Sequence, residues 1–305
     1  MNALRSLVVF AWLVITLIPL GLCLLLASPF VSSQRLWWWF AVPWLRGVIA
    51  ASRWIGGVRY RITGWENLPG PDDMQRVILC PKHQSTWETF FFPSITPHPL
   101  AYVFKRELLR IPVFGWALGR LEMIPIDRSK RASAWTRIAD LGAQLMDRGK
   151  WVIMFPEGTR TARGQRGTYK SGASRLAVAT GASIIPIAVT SGRCWPRRSF
   201  WLAPGLIDVS IGPPIDAGGR RPEPVMGEVQ GWIESEMHRL DPDAYGADAH
   251  APDAHGPDAH GPDAHASDAH GDDDAGPGDP VQEFAGQESA AQQSSSSVKG
   301  HSYGY

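Results

Sequence analysis

Val77-Ile78-Leu79-Cys80-Pro81-Lys82-His83-Gln84-Ser85-Thr86-Trp87-Glu88 is an apolar run that stops at a proline and passes into a polar, helix-opening stretch. The run reads as a buried strand, and the residues from Ser85 onward read as the start of a helix. His83 then lies in the turn, with Glu88 about one helical turn further on. Side chains so placed can meet. A carboxylate bonded to one ring nitrogen sets the tautomer and raises the basicity of the other, which an imidazole needs in order to take a proton from an alcohol. Ser85 lacks a Gly-x-Ser-x-Gly setting and reads as a helix N-cap, not a nucleophile.

Outward from this stretch the alternation repeats. Runs at Arg59 to Thr63, Val77 to Cys80, Ala101 to Phe104, Met123 to Ile126, Val152 to Phe155, Ser183 to Val189 and Ile207 to Ile211 predict strands. Helices are predicted over Ala132 to Arg148, stopped by Gly149, and over Ser174 to Thr180 and Val225 to Leu240. Strands alternating with crossover helices imply an α/β fold, a mixed and largely parallel sheet flanked by helices. An N-terminal membrane helix region precedes it. Ligands of such sheets bind beyond the carboxyl ends of strands, where both His83 and Glu157-Gly158-Thr159-Arg160 fall.

The net charge of +1 conceals an asymmetry, since residues 241–305 hold thirteen acidic residues against the single Lys299 and leave residues 1–240 at +13. A basic body suits an anionic substrate and an anionic membrane surface, and no nucleic-acid motif accompanies it. Leu7 to Ala27 carries no charge, and its twenty-one residues match the hydrocarbon thickness of about 30 Å. This reads as an anchor and not a cleaved signal, because the run is long and no Ala-x-Ala site follows. Trp37-Trp38-Trp39-Phe40-Ala41-Val42-Pro43-Trp44-Leu45 precedes Arg46, Arg53, Arg59 and Arg61. Clustered Trp prefers the membrane interface, and the arginines mark the cytoplasmic side. Pro43 and Arg46 favour a helix lying in the interface over a second span. The expected location is the cell inner membrane, with the catalytic body on its cytoplasmic face.

The expected division is an anchor over 1–57, a catalytic domain over 58–240 and a disordered acidic tail over 241–305. In the tail Asp-Ala-His recurs with His250, His255, His260, His265 and His270, a low-complexity pattern that needs no metal to explain it. Cys23, Cys80 and Cys194 form neither a metal spacing nor a disulfide framework.

Three further blocks follow His83-Gln84-Ser85-Thr86-Trp87-Glu88. They are Lys105-Arg106-Glu107-Leu108-Leu109-Arg110-Ile111-Pro112-Val113-Phe114-Gly115-Trp116, Phe155-Pro156-Glu157-Gly158-Thr159-Arg160 and Ile184-Ile185-Pro186-Ile187-Ala188-Val189. Together they resemble the four ordered motifs of the glycerolipid acyltransferase superfamily, most closely the 1-acyl-sn-glycerol-3-phosphate acyltransferases, over residues 60–215. One departure stands out: that family's first motif usually closes on Asp, where this chain has Glu88. The extra methylene lengthens the reach and keeps the charge.

The resemblance implies direct acyl transfer from acyl-CoA or acyl carrier protein to lysophosphatidic acid, a membrane lipid, with no further cofactor, no metal and no nucleic acid. His83 would be the general base and Glu88 its partner. Lys105 and Arg160 stand at positions that serve glycerophosphate binding in the family. Lys105 has the bland alternative of pairing with Glu107, and Arg160 that of a solvated turn. Arg128, after Ile126-Asp127, is either a further cation at the phosphate or the partner of a carboxylate. Thr159, Gly158 and Glu157 belong to the same substrate-binding block. Glu157 is expected to orient Arg160 or a backbone amide, and the amide at Gly158 to face the oxyanion. Lys170 adds to the positive rim. Two other readings remain open at this level: a different lyso-acceptor, such as a lyso-ornithine lipid, and a membrane-attached esterase or thioesterase that activates water with the same His and Glu.

Overall fold

The computed structural model describes residues 2–126 and 131–246. It opens with α1 (Asn2–Ala27), α2 (Ser33–Leu36), a π-helical turn (Trp37–Ala41) and α3 (Val42–Trp54). Then come β1 (Val58–Thr63), β2 (Val77–Pro81), α4 (Trp87–Ile95), β3 (Leu100–Lys105), α5 (Phe114–Arg120) and β4 (Ile124–Ile126). The chain continues through α6 (Arg131–Asp147), β5 (Trp151–Ile153), α7 (Gly172–Thr180), β6 (Ser183–Val189), β7 (Gly205–Ile211), α8 (Pro222–Leu240) and α9 (Pro242–Tyr245). The strands form one seven-stranded sheet in the order β1-β7-β6-β2-β5-β3-β4. Every neighbouring pair is parallel except β6 and β7. This is the mixed, largely parallel sheet that the sequence implies.

Residue alternation within the strands builds both layers of the core. Val77 and Leu79 of β2 join Ile153, Ile185, Trp87 and Phe91 on one face, while Ile78 and Cys80 join Val152, Ile184, Leu176 and Val229 on the other. Helices α3 and α4 cover the first face and α6, α7 and α8 the second, so a strand apolar at every position is wet on neither side. Predicted and observed elements agree within a few residues. β5 stops at Ile153, two residues short of the expected Phe155, because the chain there leaves the sheet for the site. Gly149 ends the turn after α6 at φ +76°, a conformation costly for any residue with a Cβ.

α1 is long and apolar enough to cross a membrane. Its faces differ. Val9 and Leu24 are buried, and the Ser6 hydroxyl accepts the Leu202 amide at 2.8 Å, whereas Leu7, Ile15 and Leu26 stand exposed. α3 is an amphipathic helix packed between α1 and α4, with Trp44 Nε1 donating to Thr16 Oγ1 at 3.0 Å. The packed body also passes the boundary expected at residue 240. Asp241 and Tyr245 are both buried, because Arg163 and Arg193 bond the Asp241 carboxylate and the Tyr245 hydroxyl accepts from the buried Gln84 side chain. The Asp-Ala-His repeats after His250 lie outside the described residues.

Candidate active site

Every strand from β6 to β4 points the same way, so the carboxyl ends of β6, β2, β5, β3 and β4 stand side by side along one edge of the sheet. His83 follows β2, Ser191 follows β6, Glu157 follows β5 and Lys105 ends β3. Parallel pairing thus gathers residues that are far apart in the chain.

The His83 ring is 13% exposed and stacks on Phe155 at 3.8 Å between centroids. Its Nδ1 lies 2.7 Å from Glu88 Oε2. The Glu88 carboxylate is fully buried in the first turn of α4. Its other oxygen accepts the amides of Gln84 and Ser85, each at 3.0 Å, and the Ser191 hydroxyl. Ser85 comes close to its expected role: its hydroxyl accepts the Trp87 amide at 3.1 Å, although the N-cap itself is Thr86.

These contacts set the tautomer. With the two backbone N–H groups fixed on Oε1, the ring is held through Nδ1–H, and Nε2 is left as the acceptor. Glu88→Gln must therefore keep its amide oxygen toward Gln84 and Ser85 and present its NH2 to Nδ1, which selects the wrong tautomer. Turnover should fall by about 10² or more, close to the loss of the histidine itself. Activity of Glu88→Gln above about a tenth of wild type would show that the pair does not work this way.

A second layer locks the turn from beneath. Glu157 Oε2 accepts the backbone amide of His83 at 2.7 Å, and the His83 carbonyl accepts the Thr161 amide at 2.7 Å and its hydroxyl at 3.2 Å. The block after β5 therefore grips His83 through both of its peptide groups. Lys82, wholly buried, pairs with Glu157 at 2.9 Å and Glu234 at 2.7 Å, and the Tyr169 hydroxyl also donates to Glu234 at 2.8 Å. Burial lifts the Glu157 carboxyl above its ordinary value, although Lys82 and the His83 amide pull it back.

Sequence reading put Glu157 in the substrate-binding block, and the structure gives its oxygens to Lys82, Thr161 and the His83 amide. It orients a backbone amide, one of its two expected roles, and not Arg160. Gly158, at φ +68°, donates its amide to the Phe155 carbonyl at 3.0 Å and closes a turn there. Thr159 is exposed and Arg160 half-buried on the loop after β5. Lys105 is largely exposed and 3.6 Å from Glu107, the bland partner named for it, on the strand next to β5. Lys170 is exposed above Gly158, where a Cβ on that glycine would meet its ammonium at 3.1 Å. Arg128 lies outside the described residues. Cys80 is buried and burial pushes its thiol far up, which keeps it protonated and unreactive.

Lys82, Ser191, Glu234 and Tyr245 were not singled out in the sequence. Lys82 carried one signal, a cation placed between a buried strand and the His83 turn. Among the described residues no cluster of His, Cys, Asp and Glu could hold a metal ion.

A buried carboxylate orienting an imidazole at the carboxyl edge of an α/β sheet is an arrangement suited to general-base chemistry, and residues 59–190 match the family model described as Acyltransferase. The chain is 40% identical over 202 residues to the 1-acyl-sn-glycerol-3-phosphate acyltransferase of Pseudomonas aeruginosa, covering 65% of this chain and 77% of that one. It is 30% identical over 174 residues to the enzyme of the same name from Borreliella burgdorferi, covering 56% and 68%. The crystal structure of the 1-acyl-sn-glycerophosphate acyltransferase from Thermotoga maritima shares the fold, with a TM-score of 0.65 at 21% identity over 79% of this chain and 96% of that one. The chain belongs to the 1-acyl-sn-glycerol-3-phosphate acyltransferase family.

Proposed function

We propose that this enzyme transfers an acyl group from acyl-CoA or acyl carrier protein to the free hydroxyl of 1-acyl-glycerol-3-phosphate, giving phosphatidic acid at the cytoplasmic face of the cell inner membrane. The observation that carries the reading is the His83–Glu88 pair, 2.7 Å apart, with Nε2 left as the acceptor. His83 Nε2 takes the hydroxyl proton as the lipid oxygen forms its bond to the thioester carbonyl. The C–S bond then breaks, and the departing thiolate recovers the proton from the imidazolium. Glu88 stabilises the cationic ring between these events and stays ionised. No covalent enzyme intermediate is needed.

An apolar chamber of about 180 Å³ supports a lipid substrate. Leu20 and Gly21 of α1, Phe40, Trp44, Phe90 and Tyr102 are among its walls, and the Tyr102 ring lies 6.4 Å from Phe155, on which His83 stacks. A hydrocarbon chain seated there would be separated from the His83 ring by Phe155, and the exposed face of α1 supports a membrane setting.

Lys105 and Arg160 are proposed to hold the glycerol phosphate, Arg as a fork and Lys as a mobile charge. Arg160→Ala and Lys105→Ala should each raise KM for lysophosphatidic acid by about tenfold and leave KM for the thioester within about twofold, because a phosphate contact is shared by ground and transition states. Equal weakening of both substrates would assign the cations to the carrier or to the fold. The function itself is tested by incubating the purified chain with acyl-CoA and with acyl carrier protein thioester, offering lysophosphatidic acid, a lyso-ornithine lipid or water alone. Phosphatidic acid formation supports the reading. Preference for the ornithine lipid, or release of free fatty acid at a comparable rate, would replace it.

A further inference from the structure

The match to the acyltransferase family model ends at residue 190, yet the turn that carries His83 is held from beyond it. Gln84, the next residue, is 1% exposed and bridges two distant segments. Its Nε2 donates to the Tyr245 hydroxyl oxygen at 2.7 Å, and its Oε1 accepts the Gly192 amide at 3.3 Å. Gly192 follows Ser191, the donor to Glu88. Lys82, on the other side of His83, pairs with Glu234 of α8 and lies 6.0 Å from the centre of the Tyr245 ring.

Tyr245 is itself fixed. Asp241, between α8 and α9, accepts two 2.8 Å bonds from Arg163 and one of 2.9 Å from Arg193, and Arg193 also bonds the Leu240 carbonyl at 2.7 Å. Burial alone would raise the Asp241 carboxyl, but these arginines more than offset it and hold the group below its ordinary value. The loop of Arg163 packs close, since a Cβ on Gly164 would meet the Ala244 carbonyl at 2.6 Å. Residues on both sides of the catalytic histidine are thus tied to the last two helices.

We propose that α9 is a positioning element for the reaction: the Tyr245 hydroxyl, anchored through Asp241, holds Gln84 and thereby keeps the His83 turn in register with Glu88 and Ser191. Tyr245 touches no reacting atom and acts through Gln84. The proposal rests on His83 being the base. Small displacements of a catalytic group slow the reacting step without weakening ground-state binding.

Tyr245→Phe in the full chain tests it, since the ring still fills its place and only the hydroxyl is lost. Turnover should fall about tenfold while KM for lipid and thioester and the thermal midpoint stay near wild type. Gln84→Ala, which also drops the Gly192 bond, should cost at least as much, and the double variant no more than Gln84→Ala alone, because the connection lost in Tyr245→Phe is already broken there. A chain ending at Gly246 should keep its rate within about twofold, whereas one ending at Leu240 should lose more than Tyr245→Phe does. Wild-type turnover in Tyr245→Phe, a loss matched by equal rises in both KM values, multiplicative losses in the double variant, or loss of turnover in the chain ending at Gly246 would each overturn the proposal. His83→Ala is measured alongside. Turnover surviving there would remove the base assignment and this proposal together, whereas an inactive His83→Ala beside a fully active Tyr245→Phe overturns the proposal alone.

Discussion

His83→Ala should lower acyl transfer by about 10² to 10⁴, the range lost when a positioned general base is removed. The fold should survive it. The ring is partly open to solvent and stacks on Phe155, and Glu88 keeps the Gln84 and Ser85 amides and the Ser191 hydroxyl when the imidazole is gone. The peptide groups of His83, which bond Glu157 and Thr161, are unchanged by the substitution. A circular dichroism spectrum and membrane recovery equal to wild type, with turnover below a hundredth, is the expected combination. More than about a tenth of the wild-type rate would transfer the base role to another group.

Lys82→Met should have the largest effect on stability. The side chain is fully buried between Glu157 and Glu234, and its ammonium also donates to the Gln165 carbonyl at 3.2 Å. Two carboxylates would remain in the interior with no cation. Removing one partner of a buried ionic group typically costs about 3–5 kcal/mol, because the remaining charge is neither solvated nor paired. For a domain of this size that corresponds to a fall in Tm of about 10 °C. The Glu157 carboxyl, already raised by burial, would rise further once the Lys82 charge that pulls it back is gone. Adding Glu234→Gln to Lys82→Met should recover part of the loss by removing one stranded charge. A single Lys82→Met variant that melts within about 2 °C of wild type would show that water or rearrangement relieves the cluster.

The strand pattern was legible because the core requires it. Val77 to Pro81, Ile184 to Val189 and Val152 onward are continuous apolar runs, since strands covered on both faces leave no polar positions. Their edges were less legible. The run through Phe155 is apolar for another reason, because Phe155 stacks on His83 and does not extend β5. The end of the body was misplaced by at least five residues, because the acidic Asp241-Pro242-Asp243 has the composition of the tail that follows. Only the arginines at 163 and 193, remote in sequence, turn Asp241 into a buried anchor.

His83 and Glu88 were within reach of sequence reasoning because five residues and a helix start bring them together through local geometry alone. By itself the sequence determined the α/β class, the positions of the strands along the chain, the pairing of His83 with Glu88 and the apolar helix at the N-terminus, all consequences of short-range periodicity and of residue chemistry. Only the tertiary structure decided that Glu157 accepts the backbone amide of His83, that Lys82 sits between two carboxylates, and that Ser191, Gln84 and Tyr245 complete the frame around His83. Each of these links joins segments brought side by side by sheet order and by the return of α8 and α9, and a hydrogen bond or ion pair depends on distances of about 3 Å that no local pattern encodes.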